Sequence, residues 1–157
     1  LEKKIADFFE ERYFPLGHTY EAHPLTLAPA VAAIREYKRL GLIEHSARMG
    51  EVLGAKLQKL KDRHPSVGDV RGIGMFWAVE IVRDRAKKTP FNVPQDKLDG
   101  KPMTIDQVTA DCMKRGVFVV GWINHVVVAP PLIATEAEID QGVAALDEAL
   151  KIADGAL

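Results

Sequence analysis

The residues best suited to chemistry lie in one short stretch, GHTYEAHPL, at positions 17–25. It combines glycine, threonine, tyrosine, glutamate and two histidines immediately before an alanine-rich run with helical periodicity. Free backbone N–H groups and the positive end of a helix dipole favour an anion at such a place, and a threonine hydroxyl adds a donor. The stretch therefore predicts either a phosphate-binding loop in which Thr19 donates, or a loop that only caps the next helix.

A second glycine-containing stretch, Gly72-Ile73-Gly74, does not favour dinucleotide binding. That fingerprint needs its glycines between a strand and a helix, whereas here they lead into the strand-like run MFWAVEIV. We expect these glycines to allow a bend or close backbone packing. For the neighbouring Asp69 and Arg71, a structural ion pair or a backbone clamp is favoured over a substrate-binding role.

The five histidines and the single cysteine give no metal or nucleophile motif. His18 and His23 share a loop, but no carboxylate or cysteine stands at ligand spacing, as it does in HExxH. His45 and His64 are predicted to lie at the surface, and Cys112 in the core. We therefore expect no metal site and no catalytic nucleophile.

The composition is that of a globular protein, and its 157 residues suit one compact domain or one lobe of a larger protein. A formal net charge of −1 implies no broad basic face, so nucleic acid and membranes are not expected as partners. The apolar runs are too short to span a bilayer, and a single cysteine fits a cytoplasmic location. Because the chain begins at Leu1 rather than Met, we expect a fragment or a processed piece.

Hydrophobic periodicity predicts the elements that position these residues. Helices are expected at about 2–12, 26–40, 42–62, 105–115 and 136–152. Strands are expected at about 72–82, 117–120 and 125–129, with a long loop over 84–103. The fold class is therefore α/β in the α+β sense: a small mixed or antiparallel sheet packed with helices. The apolar stripes of the helices should face this sheet or one another.

The ends of the helices are predicted from capping residues. Thr26 should cap the second helix, with Pro29 in its first turn, where a missing N–H is harmless. Two capping boxes are predicted from their sequence spacing: Thr104 with Gln107, and Thr135 with Glu138.

Three blocks of the chain, in order, resemble one known family. GHTYEAHPLTLAPAVAAI is similar to the segment after the catalytic lysine of class III aminotransferases, which are fold type I pyridoxal-phosphate enzymes. VGDVRGIGMFWAVEIV is similar to the VRG-x-G segment that opens their small domain. VVVAPPLIATEAEIDQGVAALDEAL is similar to their APPL-xx-T-xx-EID segment. The omega-amino acid or taurine:pyruvate subgroup is the most similar, through EYKRLGLIEHSARMG and RDRAKKTPF.

The resemblance implies a pyridoxal 5'-phosphate cofactor and a homodimer whose active sites are shared between subunits. Thr19 matches the family threonine that reaches across the dimer interface to the cofactor phosphate of the neighbouring subunit, and His18 matches a position that can add a backbone contact. Residues 1–40 would be the end of the large cofactor-binding domain with the interdomain helix, and 41–157 the C-terminal small domain. The parent enzyme would transfer an amino group from an amine or omega-amino acid to a keto acid, with pyruvate the expected acceptor.

Two departures from the family pattern bear on catalysis. The family's Schiff-base lysine precedes the GHTYEAHPL segment, and none of this chain's lysines matches it, so the 157 residues alone are expected to be inactive. Many relatives carry an arginine shortly before APPL that pairs with a substrate carboxylate, whereas this chain reads His125-Val126-Val127-Val128. Two alternatives stay open. One is another class III enzyme, such as a decarboxylase, racemase or aminomutase, and the other is a non-catalytic helix–sheet interaction module.

Overall fold

The computed structural model describes residues 2–157. Its described residues up to Leu40 form one compact unit, and Gly41–Leu157 form a second. The assignment of residues 1–40 to the end of a large domain and of 41–157 to a small domain stays a prediction. No helix within residues 2–157 is both long and apolar enough to cross a membrane.

The first unit contains two helices, α1 (Lys3–Phe9) and α2 (Pro24–Leu40). α2 begins two residues before the predicted cap, because proline at the first helical position has no N–H to leave unpaired. The Thr26 hydroxyl instead donates to the carbonyls of Tyr20, at 3.1 Å, and His23, at 2.9 Å. The prediction that Thr26 is the N-cap is therefore wrong, and Pro29 lies inside the helix rather than in its first turn.

The apolar stripe of α2 is exposed rather than packed. Within residues 2–157, no residue of α1 or α2 is buried. The expectation that this stripe faces the sheet or another helix is therefore wrong for the described chain. Its members are between 44% and 57% exposed: Leu27, Val31, Ile34 and Tyr37.

The second unit arranges helices and strands around one sheet. Its helices are α3 (Leu42–Arg63), α4 (Pro94–Leu98), α5 (Thr104–Lys114) and α6 (Glu136–Asp154). Its strands are β1 (Val67–Ile73), β2 (Phe76–Asp84), β3 (Thr89–Pro90), β4 (Val120–Trp122) and β5 (His125–Val128). All pairs are antiparallel, in the order β1-β2-β5-β4, with β3 paired to β2. The expected small antiparallel sheet packed with helices is confirmed.

The strand predicted over 72–82 is a hairpin. β1 pairs with β2 from Val67 opposite Ile81 to Ile73 opposite Phe76. Gly74 turns the chain with φ at +53°, a left-handed conformation that costs glycine nothing because it has no Cβ. The sequence analysis allowed a bend at these glycines but predicted no separate strand before them, so one predicted strand becomes two.

The second hairpin starts later than predicted. β4 begins at Val120, whereas the sequence placed this strand at 117–120. Trp122 pairs with His125, so the turn comprises only Ile123 and Asn124, and Ile123 has φ at +54°. The four residues between the two predicted strands thus reduce to a turn of two residues.

The core lies between the sheet and the helices α3, α5 and α6. From α3 come Leu53, Leu57 and Leu60, each at most 1% exposed. Leu146 and Leu150 of α6 are 2% and 0% exposed, which confirms the prediction that both are buried. Burying a leucine fully contributes about 1.5–3 kcal/mol by removing apolar surface from water, so these five side chains carry much of the driving force for folding.

The two predicted capping boxes have different outcomes. Thr135 caps α6 as expected, since its N–H donates to the Glu138 carboxylate at 2.8 Å and its Oγ1 accepts the Glu138 N–H at 3.3 Å. Thr104 is the first residue of α5 and Met103 is the N-cap, so that prediction is wrong. The side-chain Oδ1 of Asn92 accepts the Thr104 N–H instead, at 3.0 Å. The segment 84–103, which was predicted to be a loop, contains β3 and α4. The bond from Thr104 to Asn92 joins this segment to α5.

Candidate functional site

The phosphate-loop residues predicted from the sequence lie in the exposed loop that leads into α2. A tight turn spans residues 18–21, with the Glu21 N–H donating to the His18 carbonyl at 3.1 Å. Tyr20 closes this turn with φ at +70°, and its ring packs edge-on against His23 with the ring centroids 5.3 Å apart. The turn therefore holds Thr19 between His18 and Tyr20 at the surface.

The hydroxyl of Thr26 ties this turn to the helix. It bonds to the carbonyls of Tyr20 and His23, and the His23 carbonyl also accepts the backbone N–H groups of Thr26 and Leu27. Thr26, the residue after GHTYEAHPL, thus fixes the loop to the first turn of α2. This structural role needs no ligand. The Thr26 hydroxyl is thus engaged within the chain, whereas the hydroxyl of Thr19 is exposed and makes no hydrogen bond within residues 2–157.

The residues of this loop fit a phosphate group in part. Thr19 is exposed, and within residues 2–157 neither its hydroxyl nor its backbone N–H makes a hydrogen bond. Both are neutral donors of the kind that phosphate oxygens accept. The His18 N–H differs, because it already donates to Oε2 of Glu21 at 3.0 Å. Thr19 therefore fits the predicted role as it stands, and His18 fits only after the Glu21 carboxylate moves away.

The glycines at 72 and 74 serve packing, as predicted. A Cβ at Gly72 would lie 2.5 Å from Cδ2 of Trp77, and a Cβ at Gly50 of α3 would lie 2.4 Å from the carbonyl oxygen of Gly74. The same carbonyl accepts the indole N–H of Trp77 at 2.7 Å. These glycines bring the hairpin into contact with α3, and they precede a strand rather than the N-terminus of a helix.

The predicted ion pair beside those glycines is also confirmed, with one further partner. Arg71 Nη1 lies 3.0 Å from Asp69 and 2.7 Å from Glu80 on the adjacent strand. Hydrogen bonds from Arg71 and Lys61 lower the pKa of Asp69 despite partial desolvation. The cluster joins α3, β1 and β2 and leaves Arg71 committed to two carboxylates.

His64 is buried, and the prediction that it lies at the surface is wrong. It is 4% exposed and sits between two carboxylates of α6, with Nδ1 2.6 Å from Asp154 and Nε2 2.8 Å from Asp147. Asp154 also accepts the hydroxyl of Ser66 at 2.6 Å and its N–H at 3.1 Å. Arg63 reaches Asp147 at 3.0 Å. This His64 cluster joins the end of α3 to two aspartates of α6 that lie 83 and 90 residues later in the chain.

The charges of the His64 cluster are arranged for stability rather than for nucleophilic catalysis. Ser66 donates to Asp154 and not to the histidine, and a carboxylate whose pKa is lowered is a weak base for activating a hydroxyl. Burial, the largest single influence, raises the pKa of Asp154, but hydrogen bonds from Ser66 and His64 outweigh it, and the net pKa is lowered. Both ring nitrogens of His64 face carboxylate oxygens of α6.

His45 was predicted to lie at the surface and Cys112 in the core. His45 is half-buried, and its Nε2 lies 2.9 Å from the carbonyl oxygen of Ala134. Cys112 is fully buried, as predicted, and burial raises the pKa of its thiol. Within residues 2–157, no three histidine, cysteine, aspartate or glutamate side chains are grouped so that they could hold a metal ion.

One cavity in the second unit carries no signal in the sequence. Its volume is about 690 Å³, and its walls come from α3, from α6 and from the segments around 116–119 and 128–135. The lining is mainly apolar, including Phe118, Pro130 and Ile133. Its carboxylate, Glu138, is held by Thr135 in the helix cap, and hydrogen bonds from Thr135 lower the pKa of Glu138. The cavity therefore offers apolar surface but no assembled catalytic group.

Comparison with known proteins gives the family. The family described as "Aminotransferase class-III" matches residues 2–150. The taurine–pyruvate aminotransferase of Rhodobacter capsulatus is 37% identical over 132 residues, covering 79% of this chain and 27% of that protein. The ethanolamine-phosphate phospho-lyase homolog 1 of Caenorhabditis elegans is 31% identical over 155 residues, covering 96% of this chain and 31% of that protein.

A solved structure gives the same result for the fold. The taurine:2-oxoglutarate aminotransferase of Bifidobacterium kashiwanohense, in complex with PLP and glutamate, superposes with a TM-score of 0.80 at 28% identity, over 98% of this chain and 33% of that one. The chain thus spans between about a quarter and a third of the length of these relatives. Because the family match covers nearly all of its residues, this chain belongs to the class III aminotransferase family.

Proposed function

We propose that this chain is the C-terminal part of a pyridoxal-phosphate-dependent aminotransferase that moves an amino group from an amine or omega-amino acid to a keto acid. The family match over residues 2–150 carries the proposal. The relative from Rhodobacter capsulatus, a taurine–pyruvate aminotransferase, favours pyruvate as the acceptor. When bound, pyridoxal phosphate supplies an aldehyde that takes up the amino group and a ring that accepts electrons from the substrate carbon.

Thr19 is the residue of this chain that we assign to the cofactor. Its exposed hydroxyl and backbone N–H, which have no partner within residues 2–157, would donate to the phosphate of the cofactor held by the partner subunit. His18 would add its backbone N–H. The lysine that carries the cofactor would belong to a part of the protein outside these 157 residues. The protein is then a homodimer, and each active site needs two subunits.

The two units of the structure have separate roles in this proposal. Residues 1–40 are the end of the large cofactor-binding domain with the interdomain helix, and 41–157 are the small domain. The exposed stripe of α2 supports the dimer, since an apolar helix face of this kind stabilises a protein only when something covers it. A cytoplasmic location is inferred from the single cysteine, which is free and buried.

The substrate carboxylate or sulfonate is not bound by an arginine just before APPL. The sequence there is His125-Val126-Val127-Val128, which forms β5. Val126 is fully buried in the core and His125 is half-buried. We propose that the acid group of the substrate meets donors from the rest of the enzyme, and that the preference for amine donors differs from that of relatives with the arginine.

The assignment of Thr19 is tested by replacing it in the full-length dimer. Thr19→Ala removes a hydrogen bond to a charged group, worth roughly 1.5–3 kcal/mol, so cofactor affinity should fall about tenfold to a hundredfold. Thr19→Ser keeps the hydroxyl and should bind cofactor as the wild type does. The affinity is measured by titrating the apoenzyme with pyridoxal phosphate and following its visible absorbance. If Thr19→Ala retains cofactor as tightly as the wild type, Thr19 is only a loop residue.

The proposal that Thr19 acts across the dimer is tested with a mixed dimer. One subunit carries Thr19→Ala and the other lacks the cofactor-carrying lysine. One active site then lacks both groups, and the other retains both. Half of the sites should hold cofactor with wild-type affinity. Uniformly weakened sites would mean that Thr19 acts within its own subunit.

A second candidate function is a lyase of the same family, which the relative from Caenorhabditis elegans favours. That protein's name describes a phospho-lyase acting on ethanolamine phosphate. The two activities differ in their need for a keto acid. An aminotransferase consumes pyruvate and forms alanine, whereas a lyase acts on its substrate without a keto acid. A screen of amine donors with and without pyruvate, followed by alanine formation, decides between them.

A further inference from the structure

An acidic side chain occupies one of the donors that the proposed function assigns to phosphate. Oε2 of Glu21 accepts the backbone N–H of His18 at 3.0 Å, while the Glu21 N–H donates to the His18 carbonyl at 3.1 Å. These two bonds close the turn around Thr19. The Glu21 carboxylate is therefore bound to His18, the neighbour of the Thr19 hydroxyl that we assign to the cofactor phosphate.

No positive side chain balances this carboxylate within residues 2–157. Glu21 is exposed and takes part in none of the ion pairs of the described chain. The sequence has no lysine or arginine between Arg12 and Arg35, and Arg12 is turned back to the Phe8 carbonyl at 2.9 Å. The charge of Glu21 thus acts on the Thr19 turn without compensation from its neighbours in the chain.

We propose that Glu21 is an internal anion that competes with the cofactor phosphate for the His18 N–H, and thereby sets how tightly the Thr19 turn holds phosphate. This inference rests on the proposed function of that turn. Carboxylate and phosphate oxygens are acceptors of the same kind, and both are negative, so one N–H cannot serve both. Without cofactor, Glu21 holds the turn closed. With cofactor, its side chain must leave His18, or its charge must be tolerated beside the phosphate.

The test separates the charge of Glu21 from its effect on the turn. Glu21→Gln keeps an oxygen that can accept the His18 N–H but removes the charge, and Glu21→Ala removes both. Each variant of the full-length apoenzyme is titrated with pyridoxal phosphate at low salt, and inorganic phosphate is then used to compete for the site. Pyridoxal, which lacks the phosphate, is the control ligand, and Glu11→Gln, which neutralises an exposed carboxylate outside the turn, is the control variant.

We expect Glu21→Gln to bind pyridoxal phosphate and inorganic phosphate about threefold to tenfold more tightly than the wild type, since charges a few ångströms apart in water interact by an energy of that order. The gain should shrink as salt is added, because salt screens exposed charges. Binding of pyridoxal should be unchanged. Glu11→Gln should leave all three affinities unchanged.

Suppose that Glu21→Gln binds phosphate no more tightly than the wild type, while Thr19→Ala still weakens cofactor affinity. Glu21 then does not compete with phosphate, and the proposed function still stands. If Glu21→Gln and Glu21→Ala both weaken binding, Glu21 only shapes the turn for phosphate, and the competition is again wrong. If Thr19→Ala has no effect on cofactor affinity, the proposed site itself is wrong, and this inference falls with it.

Discussion

Replacing Asp154 by asparagine tests whether the His64 cluster holds α3 and α6 together. One oxygen of the Asp154 carboxylate accepts both the hydroxyl and the N–H of Ser66, and the other faces Nδ1 of His64 at 2.6 Å. An asparagine can keep the oxygen toward Ser66. Its amide would then place an N–H against the His64 ring, and the charge that pairs with the ring is lost.

The expected cost follows from the burial of the cluster. The His64 side chain is 5% exposed and that of Asp154 is 24% exposed, so water compensates only in part. Losing a hydrogen bond to a charged group costs about 1.5–3 kcal/mol. Because Asp147 still contacts the other ring nitrogen, we expect Asp154→Asn to lower the free energy of unfolding by about 2–3 kcal/mol.

The effect should depend on pH in a defined direction. Hydrogen bonds in the folded protein lower the pKa of Asp154 below its usual value of 3.8. The stability that this group contributes is therefore fully present above the unfolded-state pKa and is lost as pH falls through the lower folded-state pKa. The part of the difference between the wild type and Asp154→Asn that comes from the Asp154 charge should shrink as pH falls below the unfolded-state pKa of that group.

Urea unfolding followed by tryptophan fluorescence suits this measurement, because both tryptophans of the chain, Trp77 and Trp122, lie in the second unit. Asp111→Asn is the control. It removes an ion pair with Arg115 within one helix, at 2.7 Å, and should cost about 0.3–0.5 kcal/mol. If Asp154→Asn costs no more than this control, the cluster does not stabilise the protein, and the reasoning from its geometry is refuted.

Three further predictions concern packing, capping and reactivity. Gly50→Ala should destabilise the chain by about 1–3 kcal/mol in urea unfolding, since its Cβ would meet the Gly74 carbonyl oxygen at 2.4 Å. The matched change Gly142→Ala, in α6 with nothing within 4 Å of the new Cβ, should be stabilising by about 0.5–1 kcal/mol, and equal effects of the two changes would contradict the close approach. Thr135→Ala should cost about 1 kcal/mol through loss of the cap of α6, and a neutral result would mean that the capping box contributes nothing. Cys112 should react with a thiol reagent only when urea unfolds the chain, because burial raises the pKa of its thiol, and rapid labelling of the native protein would show that the core opens there.

The family and the closing helix could be predicted from the sequence because their signals are local. α6 has a capping box at Thr135 and apolar residues at helical spacing, and the structure places that helix within two residues of the predicted bounds. The packing role of Gly72 and Gly74 was predicted in the same way, from the strand-like run that comes directly after them. A bend at these glycines was allowed for, but strand β1 before it was missed, because only strand pairing reveals it.

The contacts of single polar residues could be predicted only where their partners were close in sequence. Arg71 and Asp69 are two residues apart, and their ion pair was predicted. His64 follows a helix and reads as a surface residue, but its two carboxylates lie more than 80 residues later, on α6. The cap of α5 was likewise assigned to Thr104, whereas Asn92 supplies it from across a loop.

The sequence by itself determined the family, the order of most elements and Thr19 as the residue to examine, because each depends on residue types at short spacing. The structure was needed to show that the α2 stripe is exposed in the described chain, and also that Glu21 occupies the His18 N–H, a local contact whose formation depends on how the turn is bent. It also decided that His64 is buried between two aspartates. The physical reason is that burial and hydrogen bonding depend on which distant or turned-back groups come within about 3 Å, a distance that spacing along the chain does not encode.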